Sequence, residues 1–128
     1  MLERRRKALA GVLLAAALLV VALVIAAPGG AASGQKLSLK ASASGALKFN
    51  KKTLTAKRGK ATIVMTNPSS SGLKHGIEVE GHGSEKRGKN VGPGHTSRVT
   101  ITLKRGTYEF YCPVDGHKAT MKGKIVVK

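Results

Sequence analysis

Tryptophan is missing from this chain of 128 residues, and two tyrosines and two phenylalanines are its whole aromatic complement. So few flat rings leave little on which bases could stack, which argues against a nucleic-acid partner. Acid is also scarce: six Asp and Glu stand against 23 Lys and Arg, for a formal net charge of +17. The single cysteine, Cys112, excludes an internal disulfide framework. No helical period of useful length follows residue 34, which excludes a helix bundle. The length leaves room for one domain and an N-terminal segment.

That segment sets the expected compartment. Arg4-Arg5-Arg6-Lys7 precedes an uninterrupted apolar run from Ala8 to Ala27. A helix of about 20 such residues can cross a bilayer, whereas the core of a signal peptide is usually about 7–15 residues long. The basic cluster stays on the cytoplasmic side, so everything after Pro28 is expected outside the cytoplasm, in the periplasm or on the outer face of the cell membrane. Residues 1–27 are therefore expected to form a signal-anchor or transmembrane helix. The alternative is a signal peptide, with small residues at Gly30-Ala31-Ala32 and Ala31-Ala32-Ser33 suited to cleavage and secretion. Residues 28–36, rich in Gly, Ala and Ser, read as a flexible linker, and residues 37–128 as the folded domain.

Within that domain the apolar residues alternate with polar ones. Leu37 and Leu39 begin the pattern, followed by Leu47 and Phe49, and by Ala61, Ile63 and Met65. Ile77 with Val79, Val99 with Ile101 and Leu103, Tyr108 with Phe110, and Ile125 with Val127 continue it. A period of two means strands with one buried face. Lys57-Arg58-Gly59, Asn67-Pro68-Ser69, Gly81-His82-Gly83, Gly92-Pro93-Gly94 and Arg105-Gly106 between them are turn chemistry. Short strands at this spacing predict a small antiparallel β-sandwich. Without the first seven residues, 19 basic and 5 acidic side chains remain, an excess of +14. The lysines scatter along alternating segments, as on the solvated face of a sheet. Their excess would attract acidic proteins, anionic lipid or nucleic acid.

The chemistry concentrates near the end, in Tyr111-Cys112-Pro113-Val114-Asp115-Gly116-His117-Lys118-Ala119-Thr120-Met121. A lone cysteine outside the cytoplasm is an oxidation liability unless protected. It could be a buried small hydrophobe, but that leaves the spacing C-x4-H-x3-M unexplained. Thiolate, imidazole and thioether are soft or borderline ligands. With a second histidine they make the His2Cys site with a weak axial Met that suits electron-transfer copper. His82 sits between two glycines, and His95 follows Gly92-Pro93-Gly94; both read as surface residues. His75 starts the alternating segment Gly76–Glu80, which places it at one end of the sandwich, and it is the choice for the second histidine.

These features make the region from Leu37 to Lys128 closely similar to the cupredoxins, the plastocyanin/azurin-like small blue copper proteins. The resemblance rests on Leu47 to Pro68, on Lys74-His75, on Gly92-Pro93-Gly94, and above all on Gly106 to Cys112 with the loop that follows. It implies a Greek-key β-sandwich of seven to eight strands, here preceded by one N-terminal apolar helix. It also implies one copper ion cycling between Cu(I) and Cu(II), with His75, Cys112 and His117 as equatorial ligands and Met121 on the axis. Two positions depart from the family pattern. Many relatives carry Asn directly after the first histidine, where it ties the ligand loops together; here that residue is Gly76, which predicts looser coupling. Pro113 supplies no N–H, so a second amide directed at the sulfur has to come from further along, at Val114.

The expected function is single-electron shuttling between redox proteins outside the cytoplasm, without enzymatic turnover. The alternative is copper binding and delivery at the cell envelope. The partners are expected to be acidic at the docking surface, meeting Lys74 and Lys118 beside the ligands, with no nucleic acid involved. The chain is expected to be monomeric and to meet the membrane through its N-terminal helix.

Overall fold

The computed structural model of the protein describes residues 34–128. The expected apolar helix and most of the linker lie outside the described residues. Eight strands follow in order: β1 Gln35–Lys40, β2 Thr53–Ala56, β3 Gly59–Thr66, β4 Glu78–Gly81, β5 Ser84–Arg87, β6 Thr96–Leu103, β7 Gly106–Tyr111 and β8 Lys122–Val127. Gln35 and Lys36, expected in the linker, are the first two residues of β1. The strands form a three-stranded sheet, β1-β3-β6, and a five-stranded sheet, β2-β8-β7-β4-β5.

The alternating residues pack between the sheets. Leu39, Ile63, Met65, Val79, Ile101, Leu103, Phe110 and Ile125 all belong to one buried cluster. Strand β6 shows the rule: Ser97, Val99, Ile101 and Leu103 are buried while Arg98, Thr100 and Thr102 are exposed. Phe110 and Phe49 meet edge to face, with ring centroids 5.6 Å apart. Such a buried pair adds about 0.5–1.5 kcal/mol beyond its area. Among the described residues, every member of the cluster lies between Leu39 and Val127.

Two expectations about the strands are corrected. The sandwich is mixed rather than antiparallel, because β1 pairs with β3 and β2 with β8 in parallel. The chain leaves the first sheet after β1, runs back through β2 in the other sheet, and returns as β3. Strands β1 and β3 therefore point the same way. Leu47 and Phe49 do not form a strand of their own. They lie in the connection between β1 and β2, where Phe49 pairs with Ala41 by a single bridge and stays buried. The strand is Thr53–Ala56, whose alternation rests on Leu54 and the small Ala56.

Candidate metal centre

Four segments meet at one end of the sandwich. The stretch after β3 leads through Asn67 to His75 and into β4, and the stretch after β5 passes Val91. Cys112 follows β7 directly, and the loop from Pro113 to Met121 leads into β8. That loop turns tightly on itself. His117 N–H donates to Val114 O at 3.0 Å, Met121 N–H to His117 O at 2.9 Å, and Cys112 N–H to Met121 O at 3.0 Å. Cys112 and Met121 thus sit side by side across the neck of the loop, one pair beyond the last β7–β8 partners, Tyr111 and Lys122.

The donor atoms converge. Cys112 Sγ lies 3.8 Å from Nδ1 of His75 and 3.6 Å from Nδ1 of His117. All three donor atoms fall within 4.8 Å of one another. The imidazoles are splayed at 53° rather than stacked, as two rings pointing at a shared centre must be. His75, Cys112 and Met121 are fully buried, while His117 keeps an edge in solvent. The expected residues are therefore assembled at one end, with Met121 in the same neck as Cys112. His82 is excluded by the fold: it sits in the β4–β5 turn at the far end, against the Tyr108 ring at 4.8 Å. His95 is exposed, and its carbonyl accepts from Asn67 N–H instead.

The surroundings suit a metal better than its absence. His75 Nε2 is buried with no hydrogen-bond partner, while Nδ1 faces the sulfur. Burial, and then the charge of nearby His117, lower the His75 pKa, which keeps the imidazole neutral and its lone pair free. Burial raises the Cys112 pKa, and the N–H groups of Gly76 and Val114 partly oppose the shift. Gly76 N–H donates to Sγ at 3.4 Å. The Val114 amide is the more distant donor that Pro113 makes necessary. The sulfur is thus a thiol that gives up its proton to a cation rather than to water. A dry set of two imidazole nitrogens and one sulfur fits a soft or borderline ion.

Two residues hold this geometry through contacts that their sequence neighbours do not signal. Asn67 is fully buried, and its Nδ2 donates to Leu73 O at 2.8 Å and to Val91 O at 3.0 Å. Val91 and His75 in turn exchange both backbone hydrogen bonds, at 3.1 and 2.8 Å. One amide side chain thus pins the segments on both sides of His75, although its Asn-Pro setting reads as ordinary turn chemistry. Gly76 is the other. A Cβ there would come within 2.3 Å of Asn90 Oδ1 and 3.3 Å of Pro113 Cδ. The loop carrying Asn90 and Val91 therefore closes directly onto residue 76. Where many relatives carry Asn, the two ligand loops here meet through Gly76 N–H on Cys112 Sγ and the close approach of residue 76 to Pro113.

The two lysines beside the ligands differ in setting: Lys74 is exposed and without an ion pair among the described residues, whereas Lys118 is paired within the chain. Lys118 Nζ lies 3.4 Å from Glu80 and 3.7 Å from Glu109, and 3.9 Å above the Tyr111 ring. It is engaged with its own chain and straps the ligand loop to β4 and β7. Glu78, Glu80 and Glu85 cluster nearby, but Arg87 at 3.7 Å from Glu78 and Lys118 already answer two of these carboxylates.

Comparison with known proteins agrees with this arrangement. A family model described as a cupredoxin-like domain matches residues 15–127. Comparison with curated protein sequences returns no match. Among solved structures, auracyanin A, described as a "blue" copper protein from the green thermophilic photosynthetic bacterium Chloroflexus aurantiacus, superposes with a TM-score of 0.64 at 21% identity. The match covers 75% of this chain and all of that one. Auracyanin B gives 0.59 at 20% identity, over 73% of this chain and 88% of that one. The azurin Az-iso2 from Methylomonas sp. strain J gives 0.60 at 11% identity, over 75% and 99%.

Proposed function

This chain belongs to the cupredoxin-like family, and from that premise we propose that it is a blue copper protein carrying single electrons between proteins outside the cytoplasm. The observation that carries the reading is the convergence of two Nδ1 atoms and one Sγ within 4.8 Å in a buried setting. His75, Cys112 and His117 would hold one copper ion, with the Met121 thioether as a weaker fourth ligand. Bound copper supplies a one-electron couple between its +1 and +2 states.

The chain's own residues supply the rest. Asn67 and the His75–Val91 bridge hold His75 in place, and the closed neck of the loop holds Cys112. Ligands fixed in this way need little rearrangement when the charge at the centre changes, which favours fast transfer. Gly76 N–H stabilises negative charge on the sulfur, tuning the potential as an outer hydrogen bond does. His117, with its edge in solvent, is the shortest route to the surface. Leu73, Pro93 and Val114 lie on the segments flanking it, and Leu73 is an exposed large hydrophobic residue. Lys74 and Lys89, exposed and without ion pairs among the described residues, suit a partner bearing carboxylates. Residues 8–27 would anchor the domain to the membrane.

Burial of the donor set supports electron transfer over copper delivery. With His75, Cys112 and Met121 inaccessible, release of the ion requires the loop to open. Voltammetry of the copper-loaded protein should give a reversible one-electron wave, with copper retained against a competing chelator. Rapid loss of copper to the chelator, with no reversible wave, would favour delivery instead.

A further inference from the structure

The end of the sandwich opposite the metal centre carries its own concentration of charge. Lys57 and Arg58 form the β2–β3 turn, Lys104 and Arg105 the β6–β7 turn, Lys60 stands near the start of β3, and Lys128 directly follows β8. The pairing registers bring them together. Lys128 N–H donates to Ala56 O, next to Lys57, and Gly106 faces Val127, next to Arg105 and Lys128. Gly59 faces Leu103, which sets Arg58 beside Lys104. All six are exposed, and among the described residues none makes an ion pair. The carboxylates on the strands that reach this end are Glu80, Glu85 and Glu109, and Lys118 from the ligand loop engages Glu80 and Glu109. Six basic residues that look scattered in sequence thus meet at this end.

The N-terminal segment joins the domain at this same end. Gln35, the first residue of β1, accepts from Lys57 N–H through Oε1 at 2.8 Å and donates to Lys57 O through Nε2. The chain coming from residues 8–27 is thereby fastened into the basic cluster. We infer that this end docks on anionic lipid headgroups, holding the domain upright on the membrane with its metal centre pointing away. The choice of lipid over other polyanions rests on residues 8–27 being a membrane segment. Each Lys or Arg near such a surface strengthens binding about five-fold, and six act together here. Strand β3 runs from this end to the other over eight residues, so the centre stands about 26 Å from the lipid. At that height it is beyond about three Debye lengths of the surface potential, free to meet soluble partners.

The test uses residues 34–128, which contain both sheets and the core cluster between them, and leaves out the anchor. The domain should cosediment with vesicles of phosphatidylcholine containing phosphatidylglycerol and not with phosphatidylcholine alone. Combining Arg58→Gln, Lys104→Gln, Arg105→Gln and Lys128→Gln should weaken that partition about 100-fold or more. Removing the same charge by Lys51→Gln, Lys52→Gln, Lys122→Gln and Lys124→Gln should weaken it only a few-fold. Both variants should melt like the parent, because every changed side chain is exposed. On vesicles, hydrogen exchange should slow at residues 57–58 and 104–105 and not at 113–120. Equal loss in the two variants would overturn the proposal, since net charge would then suffice. So would absence of binding, or binding to soluble polyphosphate but not to the vesicles. Insertion of the full chain tests the anchor separately: if it inserts while the domain ignores anionic lipid, the anchor stands and this inference falls.

Discussion

The two ends of the sandwich are built to different rules. At one end β2–β3, β4–β5 and β6–β7 are each joined by two residues: 57–58, 82–83 and 104–105. At the other end the connections are residues 41–52, 67–77, 88–95 and 112–121. Short turns leave no chain to spare, so that end presents only its exposed side chains. The long connections do the opposite. They supply enough backbone to bury ligands, and they repay the lost entropy with internal hydrogen bonds centred on Asn67 and on the closed neck between Cys112 and Met121. Chemistry needs the long connections, and rigidity needs the polar network inside them.

Substitutions at the two ends should therefore behave differently, and the largest difference is expected at Cys112. Replacing it with Ser removes the one sulfur donor with charge. The copper-loaded variant should lose all sulfur-to-copper absorption while remaining folded by circular dichroism. Next come the histidines. His75→Ala should lower copper affinity by orders of magnitude in a chelator competition, whereas His82→Ala at the far end and His95→Ala should leave it unchanged. A large effect at His82 would break the contrast between the ends.

The supporting network ranks third. Asn67→Ala leaves the carbonyls of Leu73 and Val91 without this donor, and should destabilise the metal-free domain by about 1–3 kcal/mol in urea titrations. It should weaken copper binding as well, since both pinned segments flank His75. Met121→Leu should do less. It keeps the volume and removes the sulfur, so it should cost below about 1.5 kcal/mol, retain copper, and raise the reduction potential by voltammetry. An unchanged potential would mean that Met121 does not face the metal.

How much of this could be read in advance depends on how local each feature is. Cys112, His117 and Met121 fall within ten residues, so their spacing alone announced a site. Buried faces were legible from alternation, which is why β3, β6 and β7 stand where expected. Alternation carries no direction, so the parallel pairings of β1 with β3 and β2 with β8 were not visible. Strand β5, Ser84–Arg87, is polar throughout and has no period to detect; it is an edge strand whose charge protects it from further pairing. Asn67 and Gly76 act across 24 and 36 residues, on Val91 and Cys112, and nothing near them in sequence signals it. The ion pairs of Lys118 with Glu80 and Glu109 cross 38 and 9 residues, and nothing beside Lys118 in sequence announces them.

The smallest effect concerns pH in the metal-free domain. The folded His75 pKa lies below its ordinary 6.5, so the unfolded chain binds a proton first as the medium acidifies. Stability should be lost as pH falls below about 6.5, through the depressed folded value. The folded Cys112 pKa lies above its ordinary 9.0, so its contribution should be lost as pH rises past about 9. Urea midpoints measured across pH should show a plateau between these limits, and the part of the alkaline fall that begins near 9 should be absent in Cys112→Ser, leaving the later fall as burial of Tyr111 raises its pKa above the ordinary 10.0.

The central claim is that Nδ1 of His75, Nδ1 of His117 and Sγ of Cys112 hold one copper ion. Titration of residues 34–128 with Cu(II), followed by visible absorption, tests it most directly. An intense blue charge-transfer band that saturates at one copper per chain is the predicted result. A colourless complex, or a band that keeps growing past one equivalent, would contradict the account.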